Sequence, residues 1–225
     1  RGQESGGIAV AFADKITYYK GMGLVSDVFA NGHLDSLPEG DIAIGHVRYS
    51  TTGASQLLNA QPVVFTGKCG KMAVAHNGNL TNTKQLRDEL IAQNAVFQTT
   101  IDSEVIAILI NSLSDGDLLN GVKSACLKLK GSYALVIMTC DKLIAVRDPY
   151  GIRPLCIGMA DSDVVVASET CALDAVGANF LRDVKPGEIV VVDSEGIHSH
   201  MMEGVPAQSR MCIFEYVYFA RHDSV

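Results

Sequence analysis

The chain has no run of Lys or Arg, no long apolar stretch and no closely spaced cysteine pair. Each absence excludes a class of function. Nucleic-acid backbones are bound by clustered cations, and a formal net charge of −7 with dispersed basic residues offers no such patch. No nucleic-acid partner is expected. A membrane-spanning helix needs about 18 or more consecutive apolar residues, and none occur together here, so no membrane partner is expected either. Cys69, Cys126, Cys140, Cys156, Cys171 and Cys212 stand apart without a C-x-x-C spacing, which argues against a zinc site. The apolar neighbours of most of them read as reduced core thiols of a cytoplasmic protein. A secretory leader is not expected at the start. Position 1 is Arg1, not Cys, Ser or Thr, so no nucleophile is expected at that position.

What is present supports one folded domain. Of the 225 residues, 48 % are hydrophobic, enough for a sizeable core, and no linker or internal repeat divides the chain. Residues 8–12 and 15–20 read as a β-hairpin, and residues 41–47 as a further strand. Small polar residues at 50–60 read as a loop of the kind that closes over substrate. Met72 to Ala75 reads as a short strand running into an Asn77-Gly78 turn. Helices are predicted over 82–93, 103–113 and 117–129, with Asp102 or Ser103 as N-cap of the second. Strands return at 133–139, 142–146, 155–158, 164–167, 188–192 and 196–200, with a short helix at 171–177. The continuous runs Val164–Val166 and Ile189–Val192 predict strands covered on both faces. Two stacked sheets with helices outside would cover them.

Several strings carry chemistry. Arg48 ends a strand beside the small-residue loop. It is a surface arginine or, with the Thr51 hydroxyl, a two-pronged grip on a carboxylate. Asn77-Gly78 is an ordinary turn or a side-chain amide and backbone N–H aimed at one oxyanion, where a single donor contributes about 3–4 kcal/mol in a transition state. Asp102 caps its helix, worth about 1 kcal/mol, or receives an ammonium group. His76 reads as a packed strand-end residue. Arg147-Asp148-Pro149-Tyr150-Gly151-Ile152-Arg153-Pro154 reads as a structural connection, with Arg153 a candidate partner for a carboxylate near the site. Carboxylate grip, ammonium acceptor and oxyanion donors together suit an amino acid with a reactive side-chain amide, namely glutamine.

The strings Arg1-Gly2-Gln3-Glu4-Ser5, Gly45-His46-Val47-Arg48-Tyr49, His76-Asn77-Gly78-Asn79-Leu80-Thr81-Asn82, Asp102-Ser103-Glu104 and Arg147 to Leu155 together resemble the class II glutamine amidotransferases, which are N-terminal-nucleophile hydrolases. The closing Cys212 to Arg221 narrows the resemblance to the branch whose glutaminase domain serves a phosphoribosyltransferase domain. The resemblance implies an α+β fold, a four-layer αββα sandwich of two mainly antiparallel sheets. It implies residues 1–210 as the glutaminase domain and 211–225 as the start of the connection onward. It implies Arg48 and Thr51 on the glutamine α-carboxylate, Asp102 on the α-ammonium, and Asn77 and Gly78 as oxyanion hole. Arg1 would support the nucleophile, and Tyr49 would belong to the closing loop. The nucleophile would be a terminal cysteine upstream of the Arg-Gly-Gln string, using its own α-amine as base. Without that cysteine, these residues alone are expected to be inactive. No cofactor is expected in this chain. Magnesium would belong to the phosphoribosyltransferase domain, and Cys212 matches a place where some members ligate an iron–sulfur cluster. A homo-oligomer is expected of the whole enzyme. Glucosamine phosphate or asparagine synthesis, or a non-catalytic glutamine-binding module, remain alternatives.

Overall fold

The computed structural model describes residues 4–49, 55–206 and 209–224. The hairpin predicted at the start is present: β1 (Ser5–Phe12) pairs antiparallel with β2 (Lys15–Met22), and β3 (Ile42–Arg48) pairs with the other edge of β1. A short helix α1 (Val25–Val28) packs on β1 and β2. This three-stranded sheet has the order β2-β1-β3.

The second sheet has six strands, built from β4 (Val63–Gly67), β5 (Gly70–Leu80), β6 (Gly131–Met138), β7 (Leu143–Arg147), β11 (Glu188–Asp193) and β12 (Gly196–Met201) in the order β12-β11-β7-β6-β5-β4. Its two faces are both apolar, as period-2 alternation requires of a sheet sandwiched between layers. Met72, Val74, Leu135, Ile137, Ile144, Val146, Ile189 and Val191 pack against three helices, α2 (Thr83–Ala92), α3 (Asp102–Leu113) and α4 (Leu118–Cys126). Ala73, Ala75, Met138 and Leu143 face the first sheet through Ala9, Ala11, Ile16 and Ile44.

The rest of that face, Ala134, Ala145 and Val190, meets a third sheet through Leu155, Ile157 and Val184. The third sheet has the order β10-β8-β9, from β8 (Cys156–Ala160), β9 (Asp163–Ala167) and β10 (Asn179–Asp183), with α5 (Thr170–Ala175) packed on its strands. The layers are therefore helix, six-stranded sheet, a pair of three-stranded sheets, and short helices. This is the expected αββα sandwich, with its second β layer divided in two.

Two expectations need correction. Val164–Val166 lies only half-buried, because β9 is an edge strand; Ile189–Val191 is buried as predicted, because β11 is flanked by β7 and β12. Asn77-Gly78 is not a turn: β5 continues to Leu80, with Asn77 opposite Ala134 and Gly78 opposite Tyr133. Tertiary pairing with β6 overrides the local turn preference. The strands β4 and β10 and the helix α1 carry no strong pattern and were not expected.

The Arg147–Pro154 segment is a hydrogen-bonded knot. Arg147 donates to the carbonyls of Arg153, Gly151 and Val184. Buried Asp148 accepts the N–H groups of Tyr133, Tyr150, Ile152 and Arg153. Arg153 pairs with buried Glu215, in a π-helical turn over Glu215–Phe219, and so ties down the C-terminal segment. Asp148→Ala leaves several buried amides without an acceptor, and a hydrogen bond to a charged group contributes about 1.5–3 kcal/mol. Urea unfolding should show a loss of about 3 kcal/mol or more; a loss below ~1 kcal/mol would mean that the knot is not a stabilising feature.

Candidate active site

Asn77 and Gly78 lie near the C-terminal end of β5, where Asp102 also makes contact, and the reason is strand geometry. Successive amides along an antiparallel strand point to opposite neighbours. β6 takes the Asn79 side of that alternation: Asn79 N–H lies 3.3 Å from Ser132 Oγ, while Tyr133, opposite Gly78, exchanges its backbone bonds with Asp148 instead. His76, Gly78 and Leu80 therefore present their N–H groups to the β4 side. But β4 stops pairing at Val63 opposite Val74, so among the described residues this stretch of edge has no neighbouring strand.

Side chains take its place. The His76 N–H donates to Gln61 Oε1 at 2.7 Å, and the Leu80 N–H to Asp102 Oδ2 at 3.3 Å. The Gly78 N–H lies between those two engaged amides, on the open edge. Glycine is required here: φ is +147°, and a Cβ would stand 2.1 Å from the Ser132 carbonyl oxygen. The Asn77 side chain is half-buried on the face shared with Ala73 and Ala75, and has no hydrogen-bond partner among the described residues.

Asp102 is the first residue of α3. Its carboxylate does not cap the helix, and neither does Ser103, correcting the expected N-cap; the cap residue is Ile101, with no side-chain bond. Instead Asp102 Oδ1 lies 3.3 Å from His76 Nδ1. Burial pushes the Asp102 carboxyl up, but the His76 imidazole and the Leu80 N–H outweigh it and hold the group below its ordinary range. Glu104, two residues on, accepts the Gln98 and Thr99 N–H groups and anchors the loop entering α3.

Arg48 approaches from the first sheet. Ile44, His46 and Arg48 alternate on the inward face of β3, with residues 43, 45 and 47 exposed. Lys71 reaches the Ile16 carbonyl at one end of the stack, and His46 Nε2 reaches the His76 carbonyl at 3.1 Å. β3 and β5 thus run the same way, and Arg48 projects toward the Asn77–Leu80 end. Its guanidinium is buried and donates to Glu4 Oε1 at 2.7 Å. Tyr49 follows directly and is 65 % exposed. Arg1 and Thr51 lie outside the described residues. Neither of two surface hollows, one around Cys126, Tyr150 and Met202 and one around Asp117, Asp193 and His198, includes any of these residues.

Comparison with known proteins fits this arrangement. A family model described as a glutamine amidotransferase domain matches residues 46–175, more than half of the chain. The chain belongs to the glutamine amidotransferase domain family. Over its whole length it is 46 % identical to the amidophosphoribosyltransferase of Synechococcus elongatus and 49 % identical to the chloroplastic amidophosphoribosyltransferase 3 of Arabidopsis thaliana, covering 46 % and 42 % of those proteins. It is also similar to the solved structure of glutamine phosphoribosylpyrophosphate amidotransferase from B. subtilis complexed with ADP and GMP, with a TM-score of 0.91, 44 % identity, and coverage of 100 % of this chain and 48 % of that one. The chain spans about half the length of the curated relatives it matches.

Within this amidotransferase domain, three residues near the site went unassigned from sequence. Gln61 and Glu4 had no distinguishing pattern. His46 did: it lies two positions before Arg48 on a strand, which puts both side chains on one face. Arg153 does pair with a carboxylate, but Glu215 belongs to the C-terminal segment, not to the site. All six cysteines are free, and only Cys126 and Cys156 are buried. No group of three possible metal ligands forms among the described residues, Cys212 included.

His46 gives the site an acid response. Its ring is half-buried, but Nδ1, where a second proton would go, is out of reach of water and has no partner among the described residues. Burial, then the charges of His76 and Arg48, push its pKa from 6.5 to about 4, against the His76 carbonyl, which raises it. A depressed histidine costs nothing at pH values where both folded and unfolded forms are neutral. Stability falls as the unfolded chain takes up its proton below about pH 6.5, and the loss levels off near the folded pKa of about 4. His46→Gln, which keeps a donor at the Nε2 position, should remove that component. Between those limits the stability advantage of wild type over His46→Gln should fall by on the order of 2 kcal/mol. A pH-independent difference in urea unfolding contradicts this.

Proposed function

We propose that residues 1–210 belong to the glutaminase domain of an amidophosphoribosyltransferase and that residues 211–225 begin the connection into its phosphoribosyltransferase domain. The domain hydrolyses glutamine to glutamate and ammonia. A phosphoribosyltransferase domain, holding magnesium, uses the ammonia to make 5-phosphoribosylamine from phosphoribosylpyrophosphate in de novo purine synthesis, in the cytoplasm. Similarity over the whole of this chain, and somewhat under half of the relatives' length, to proteins bearing that name supports the assignment. The observation that carries it is the Gly78 position on a stretch of β5 edge without a neighbouring strand among the described residues, with Asn77 beside it, Asp102 bonded to the nearby Leu80 N–H, and Arg48 on the inward face of β3.

In this reading Arg48, oriented by Glu4, binds the substrate α-carboxylate with Thr51. A guanidinium carries five N–H donors, so an ion pair to one Glu4 oxygen is compatible with a second carboxylate. Asp102 binds the α-ammonium: a carboxylate accepts at roughly four lone-pair sites, and His76 and Leu80 use two. Tyr49 and the residues after it close over the ligand, and Arg1 supports the nucleophile.

The nucleophile is a terminal cysteine outside these residues, with its α-amine as general base. The thiolate adds to the side-chain carbonyl carbon, forming a C–S bond, and the carbonyl oxygen becomes an oxyanion held by Gly78 N–H and the Asn77 amide. Collapse breaks the C–N bond, and the ammonium of the base returns a proton to the leaving ammonia. Water, activated by the same amine, then hydrolyses the thioester to glutamate and frees the thiol.

Arg48→Ala in the full-length enzyme should raise the glutamine KM roughly ten- to a hundredfold, the equivalent of one charged hydrogen-bond pair. Synthesis supported by added ammonium salt should stay near wild type, since it bypasses the site. An unchanged glutamine KM would remove Arg48 from the substrate grip.

A further inference from the structure

We infer that His76 is a positioning residue for Asp102, and that Gln61 holds His76 for that task. The inference rests on the glutaminase reading above and adds a residue to it. Asp102 opens α3, where the first amides of a helix lack internal partners and attract a nearby carboxylate. An aspartate there has two competing uses, capping its own helix or facing outward to a cation. The structure resolves the competition: no side chain caps α3, and both Asp102 oxygens engage β5 instead, through Leu80 N–H and His76 Nδ1. The Leu80 contact uses main chain that almost any residue supplies. Only the His76 contact depends on the identity of a side chain.

His76 is itself set in place from its backbone. Gln61 clamps it twice, Oε1 accepting the His76 N–H at 2.7 Å and Nε2 donating to the His76 carbonyl at 3.2 Å. His46 Nε2 contacts the same carbonyl. Because that partner is an acceptor, His46 carries its proton on Nε2. The clamp fixes where the imidazole starts, and the ring is buried. Among the described residues its Nε2 has no partner, so Asp102 is the ring's one polar contact. A histidine kept merely to satisfy the core would be expected to use both nitrogens. This one spends its single contact on the carboxylate that receives the substrate ammonium.

The test uses three variants of the full-length enzyme, each assayed with glutamine and with added ammonium salt. His76→Leu keeps bulk and removes the donor. His76→Asn places an amide nitrogen near the position of Nδ1. Asp102→Asn removes the ammonium-binding charge. His76→Leu should raise the glutamine KM about tenfold, with kcat changed by less than about twofold and ammonium-supported synthesis near wild type. His76→Asn should restore KM to within about threefold of wild type. Asp102→Asn should raise KM at least as much as His76→Leu. If Asp102→Asn leaves KM unchanged, the site reading itself fails, and the inference with it. If Asp102→Asn raises KM but His76→Leu does not, the site stands and the positioning role is wrong. Equal losses in both assays for His76→Leu, or no rescue by His76→Asn, assign His76 a structural role and overturn the inference.

Discussion

One unpaired stretch of strand edge organises the site. β5 runs past the end of β4, and among the described residues its last amides on that edge have no sheet neighbour. A bare strand edge is a liability that proteins cover with side chains or loops. Here the cover is partial: Gln61 takes one amide, Asp102 takes another, and Gly78 between them is left facing outward. The gap is narrow and flanked by groups of defined polarity. The constraint that makes position 78 a glycine, close approach to Ser132 at φ +147°, also leaves no side chain to obstruct the amide.

The stacked layers bring charge to that edge. The first sheet delivers buried Arg48, compensated by Glu4, and the helical layer delivers Asp102, compensated by His76 and Leu80. Burying a charge without a partner is expensive, and each charge arrives with its own partner from within its locality. In the reading proposed above, the two halves of an amino acid's zwitterion would be addressed from opposite layers, at a separation set by the sandwich. The Arg147–Asp148 knot contributes at one remove: it fixes Tyr133, the residue that sits opposite Gly78 on β6.

Much of this was legible in the sequence. The continuous apolar runs and the helical periods gave the layers, because strands buried on both faces leave an unbroken apolar pattern. Arg48, Asn77, Gly78 and Asp102 were legible as residue types suited to one ligand. The path of β5 was not. Asn-Gly is a strong local turn signal, and only pairing with β6, supplied by residues more than fifty positions later, keeps the strand going. The roles of Gln61 and Glu4 were illegible for the same reason: each acts on a residue brought close by the fold, across 15 and 44 positions. Asp102 looked like a helix cap because the competing partner, Leu80 N–H, is exposed only by the early end of β4.

The most direct measurement is a crystal structure of the full-length enzyme with glutamate bound in the glutaminase site. The account places the ligand's α-ammonium on the Asp102 carboxylate, its α-carboxylate on Arg48, and a side-chain carboxylate oxygen on the Gly78 N–H, each at a normal hydrogen-bond distance of about 2.7–3.2 Å. A ligand bound elsewhere, or bound here with its ammonium turned away from Asp102 and no contact to Gly78, would contradict it.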